Sequence, residues 1–79
     1  MSSSDPQRRT YLWDFFGPTA AGTATHFQHH LDQFLTREGI SGCETGVRSE
    51  QPGHFAAFCN APLEVEPALV QALKPRRVL

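Results

Sequence analysis

The chain has only two cysteines, one methionine and one tryptophan, and Met1 to Gln7 contains no apolar run. Two cysteines are too few for the disulfide lattice that holds small secreted domains together, and a secretory leader needs an apolar stretch. These absences predict a cytoplasmic protein with free thiols. Long hydrophobic runs are lacking as well. No stretch approaches the ~20 consecutive apolar residues of a membrane-spanning helix, which predicts no membrane partner. Neither sign of charge is in surplus: seven Lys and Arg stand against eight Asp and Glu, for a net charge of -1. Without a basic excess there is little bulk attraction to phosphate, so nucleic acid is a disfavoured partner. No phosphate-binding glycine-lysine loop, GxSxG, HExxH or dinucleotide fingerprint occurs. No enzyme class is therefore announced, and no cofactor is expected.

What is present suits a small globular domain. Hydrophobic residues make up 39% of the 79 positions, and six glycines bring the apolar share near that of ordinary soluble domains. Met1 to Gln7, rich in serine, reads as a disordered tail, and residues 8–79 as a single small α+β domain. The run Thr10 to Phe16 is dense in aromatic and aliphatic residues and stops at Gly17-Pro18, which predicts a strand. Alternation puts Tyr11, Trp13 and Phe15 on one face and Leu12, Asp14 and Phe16 on the other. Both faces are nearly apolar, so the pattern leaves open which is exposed.

From Pro18 to Gly39 the apolar residues Ala20, Ala24, Phe27, Leu31, Phe34 and Leu35 recur at the helical period. Thr19 or Thr23 can supply the N-cap, with Gly22 favouring the later start, and Gly39 sits where a left-handed C-cap residue is wanted. Cys43 to Ser49 and His54 to Asn60 flank Glu50-Gln51-Pro52-Gly53 and read as an antiparallel hairpin. A turn centred on Gln51 sets Val47 against Phe55, Thr45 against Ala57 and Cys43 against Cys59. It leaves Glu44, Arg48, His54 and Phe58 on the opposite face. Pro62 to Lys74 predicts a second helix whose regular part begins near Glu66, and Arg76 to Leu79 forms either a frayed end or a short fourth strand. The order strand, helix, strand, strand, helix, with or without a short final strand, predicts a ferredoxin-like split βαβ sandwich, an antiparallel sheet with two helices on one face.

Three groups of residues are candidates for chemistry or binding. His26 and His30 stand four apart on the first helix, with His29 between them, so two imidazoles can reach one transition metal. The remaining ligands would have to come from residues such as His54, Cys43 or Cys59 at no characteristic spacing, and solvated helix histidines are the plainer reading. Cys43 and Cys59 do not form a CxxC pair and read as unreactive core thiols. Gly17 to Gly22 precedes a helix but is followed by no lysine, so it reads as a strand-to-helix turn rather than an anion loop.

The stretch Pro52-Gly-His-Phe-Ala-Ala-Phe-Cys-Asn60, followed by Ala61, Pro62 and a helix holding Ala68 and Ala72, resembles the third strand and second helix of RNA-recognition-motif domains. That resemblance implies the same topology and base stacking on aromatics of strands one and three. In place of the Lys or Arg before glycine that opens the family's motif, this chain has Pro52, and His54, Ala56 and Phe58 hold the outward positions. Heavy-metal-associated domains are similar in topology too, although Gly17 to Gly22 carries no cysteine where they have a CxxC loop. The leading expectation is a small non-catalytic interaction or regulatory module. It would bind a protein partner or itself, as a homodimer, through an aromatic sheet face or edge, with Tyr11, Trp13, Phe15 and Phe58 as the contact residues. The alternatives are a transition-metal-binding domain using His26 and His30, and single-stranded RNA binding.

Overall fold

The computed structural model describes residues 7–79, so Met1 to Pro6 of the expected tail lie outside the described residues. Strand β1 (Arg8–Phe16) leads into helix α1 (Ala20–Arg37), then β2 (Glu44–Gln51), β3 (His54–Pro62), a single 3₁₀ turn (Leu63–Val65), helix α2 (Glu66–Leu73) and the short β4 (Arg77–Val78). The strands make one four-stranded antiparallel sheet in the order β2-β3-β1-β4. The α+β class and the two helices agree with the sequence reading, and the closing residues take the strand option.

Helix α1 starts at Ala20, with Gly22 inside it and Thr19 in the N-cap position. Neither candidate threonine caps with its side chain. The Thr23 hydroxyl instead donates back to the Thr19 carbonyl. The far end follows expectation, because Gly39 takes φ +70 and ends the helix in the left-handed region that side chains avoid. Lys74 does the same for α2 at φ 52, and Pro75 prevents the helix from resuming.

The hairpin register differs from the expected one by two residues. Val47 faces Ala57, Thr45 faces Cys59 and Ser49 faces Phe55, so Cys43 is not opposite Cys59. The turn centres on Pro52-Gly53, with Gly53 at φ +77, rather than on Gln51. Pro–Gly favours a turn whose second central residue has positive φ, a geometry that splays the flanking strands, and the irregularity between Ser49 and Gln51 absorbs the mismatch. A shift of two residues preserves the pleat, so each side chain stays on its expected face.

The core lies between the helices and the odd-numbered face of the sheet. Tyr11, Trp13, Ala57, Cys59 and Ala61 pack with Leu31, Phe34 and Leu35 of α1 and with Val65 and Leu69. Small residues on β3 leave room for the large rings on β1, and Phe27 of α1 meets Trp13 and Phe15 at ring-centroid distances of 5.0 and 5.8 Å. Two polar groups enter this layer and both are satisfied. The Tyr11 hydroxyl donates to Glu66 at the start of α2 (3.0 Å), and the Trp13 indole N–H donates to the Leu73 carbonyl at its end (2.9 Å). Asp32 of α1 accepts from Gln28 and from Thr45 of β2, which ties the helix to the edge strand.

Candidate functional site

The even-numbered residues of β1, β2 and β3, joined by Arg77 of β4, form the second face of the sheet, and among the described residues the helical core is built on the other one. Three charged or titratable side chains meet near the hairpin end of this face. Asp14 of β1 accepts two hydrogen bonds from Arg77 of β4, from Nε at 2.9 Å and from Nη2 at 2.6 Å, and a third from His54 Nε2 of β3 at 2.8 Å. The same Arg77 guanidinium donates to Glu50 of β2 at 3.3 Å, and Arg48 Nε forms an ion pair with Glu50 at 2.8 Å. The lattice therefore crosses all four strands. The hydrogen bonds from the Arg77 guanidinium hold the Asp14 carboxyl below its usual range against the opposing effect of burial, with His54 adding in the same direction. Two arginines balance two carboxylates, so the lattice carries no surplus charge for a ligand to neutralise when His54 is neutral.

Beside this lattice stand the apolar groups of the face. Phe16 is 70% exposed and stacks on the His54 ring with centroids 4.3 Å apart. Leu12 and Ala56 are fully buried between them and Phe58. The Phe58 ring lies over Gly46 of β2 so closely that a Cβ there would come within 2.7 Å of its Cζ. At the far end Arg8 donates to Asn60 and to the Gly42 carbonyl, and Asn60 donates to Thr10.

The structure does not bring the four expected contact aromatics together. Tyr11, Trp13 and Phe15 point to the helix side, where Tyr11 and Trp13 are 0% and 4% exposed. Only Phe58 lies on the open face. The strand's two apolar faces concealed this, and the deciding residue is Asp14, whose partners arrive from β3 and β4. Phe16, His54 and Arg77 lie on the open face but outside the expected contact set of Tyr11, Trp13, Phe15 and Phe58. Their signal was the alternation that placed Phe16 beside Asp14 and His54 beside Phe58.

His26 and His30 do meet, with their Nε2 atoms 2.9 Å apart and their rings edge to face on the exposed side of α1. Among the described residues no group of three or more His, Cys, Asp or Glu is placed to hold a metal ion, so this pair is half of a tetrahedral zinc set at most. Both cysteines are free. Burial pushes the Cys59 thiol up to about 12, with the Cys43 thiol acting in the same direction, which is opposite to the activation a nucleophile needs. A groove of ≈ 400 Å³ is lined by Gly39, Ile40, Ser41, Glu64, Val65 and Ala68, and Glu64 is its single ionisable group. Among the described residues no helix is long and apolar enough to cross a membrane. No family model, no curated protein and no solved structure matches the chain in comparisons with known proteins.

Proposed function

We propose that this chain is a ferredoxin-like, non-catalytic binding module of the cytoplasm that takes a protein partner, a second copy included, on the open side or at an edge of its sheet. The element order and the strand order β2-β3-β1-β4 support the fold assignment. The observation that carries the functional reading is the pairing of exposed Phe16 and half-buried Phe58 with a charge lattice that is already neutralised from within. Apolar rings framed by satisfied polar groups suit a protein surface, since binding can bury the rings without stranding a charge. An RNA surface would instead need arginines free for phosphate, and Arg48 and Arg77 are held by carboxylates. The metal reading has only the His26–His30 pair in its favour.

Static light scattering against protein concentration, at low and high salt, is the test, run beside a titration with single-stranded RNA. Association that persists at high salt and weakens ~10-fold or more in Phe58→Ser supports the reading. A strict monomer that binds RNA tightly, with an affinity falling steeply with salt, overturns it.

A further inference from the structure

Strand β2 is an edge of the sheet, hydrogen-bonded to β3 alone, and eight residues long. The opposite edge is a two-residue strand. The direction of the free backbone groups on β2 follows from the ladder. The N–H groups of Arg76 and Leu79 bond the carbonyls of Leu12 and Thr10, so even-numbered residues of β1 turn toward β4 and odd-numbered ones toward β3. Through the β1–β3 and β2–β3 registers, even-numbered residues of β2 then turn back to β3. Thr45, Val47 and Ser49 are left to direct their N–H and C=O groups outward.

We infer that β2 pairs antiparallel with β2 of a second copy about a two-fold axis at Gly46, joining two four-stranded sheets into one. This deepens the binding-module reading by naming one partner and one edge, and it rests on that reading. Three features of the strand select the axis. With Gly46 opposite itself, Thr45 faces Val47 in a hydrogen-bonded pair. Glu44 faces Arg48 in a non-hydrogen-bonded pair, where side chains approach closest, and symmetry supplies both contacts twice. Glu44 has no ion pair among the described residues, and Arg48 is 44% exposed with only its Nε engaged by Glu50.

The second feature is negative. Centring the pair on Val47 sets Glu44 against Glu50, and centring it on Arg48 sets that arginine against its own copy, so these neighbouring registers are opposed by like charge. The third is the missing side chain at the axis. Each Phe58 ring already overlies Gly46 of its own chain. Two such glycines on adjacent strands, ~4.8 Å apart, bring the rings to the separation that aromatic pairs prefer. The contact is isologous and closes on itself, while the irregularity after Ser49 and Pro52 beyond it end the pairing.

The test is mass against concentration for the full chain and for Glu44→Arg, Arg48→Glu, the double charge swap and Phe16→Ser, with amide hydrogen exchange on the wild type. Each single reversal is expected to weaken dimerisation ~10-fold or more, and the double swap to restore it to within a few-fold. Thr45 and Val47 amides are expected to gain ~10-fold or more protection in the dimer, while Gly46 and Arg48, bonded to β3, change little. A strict monomer, or a double swap as weak as the single reversals, overturns the edge pairing. Association lost in Phe16→Ser but unchanged in the edge variants also overturns it, while leaving the open-face module standing. Tight RNA binding by a monomer removes both.

Discussion

The two faces of the sheet use the same backbone for opposite ends. On the helix side, small residues of β3 and large rings of β1 lock against α1 and α2, the Tyr11 and Trp13 polar atoms hold α2, and Asp32 and Thr45 tie α1 to β2. On the open side, a bidentate arginine, two carboxylates and a histidine form a lattice among strands, with one phenylalanine left 70% exposed. The first arrangement gains stability by excluding water from apolar area. The second organises a surface, and its exposed side chains can change with little effect on folding.

Substitutions in the two layers should separate sharply. Leu69→Ala, at a fully buried position under α2, is expected to cost ~2–5 kcal/mol, whereas Phe16→Ser is expected to stay within ~0.5 kcal/mol. Urea midpoints of the two variants measure this, and equal losses would erase the distinction. Gly46→Ala probes the one tight contact of the open face. The new Cβ meets the Phe58 ring, so a loss of ~1–3 kcal/mol is expected, largely relieved when Phe58→Leu is added.

Acid should act mainly on the open face. Because the folded Asp14 carboxyl lies below its ordinary value of 3.8, its contribution to stability is present above that value and lost as pH falls through the folded one. Asp14→Asn is therefore expected to be less stable near neutrality and to show a shallower acid limb in urea midpoints taken from pH 6 to pH 2. A limb as steep as the wild type's would place the acid sensitivity elsewhere. Alkali should act on the covered face, where burial, with the Glu66 hydrogen bond second, pushes the Tyr11 hydroxyl up to about 12. With its folded value raised, Tyr11 contributes stability that is complete below ~10 and lost as pH rises through about 12. Tyr11 is the sole tyrosine, so ultraviolet absorbance should give a single late transition in the native chain and one near ~10 in urea.

The sequence pattern carried the elements well where a single period was unopposed. The apolar spacing from Ala20 to Leu35 marked α1, and Pro67 set the start of regular helix at Glu66. It failed where two signals were nearly equal. Tyr11-Leu-Trp-Asp-Phe-Phe16 is apolar on both sides, so its exposed face depended on Asp14 finding Arg77, which lies 63 residues away. The hairpin register depended on which pair of Glu50 to Gly53 formed the turn, and the Ser49–Gln51 irregularity is not written in any one residue. The histidine pair was legible from spacing alone, but that no third ligand stands beside it among the described residues is a matter of tertiary placement.

The grip of β1 on both ends of α2 makes that helix an optical reporter of its own attachment. Eight residues are too few to hold a helix in water unaided, so α2 exists only while docked. The carbonyl of its last residue accepts from the chain's sole tryptophan, and the carboxylate of its first residue accepts from the sole tyrosine. Undocking would break both hydrogen bonds and open the α2 side of both rings to solvent in one event, and the indole emission would move to the red while α1 remained folded. A fluorescence transition running ahead of the loss of helical dichroism would thus time the detachment of one short segment, in a chain that needs no added label to reveal it.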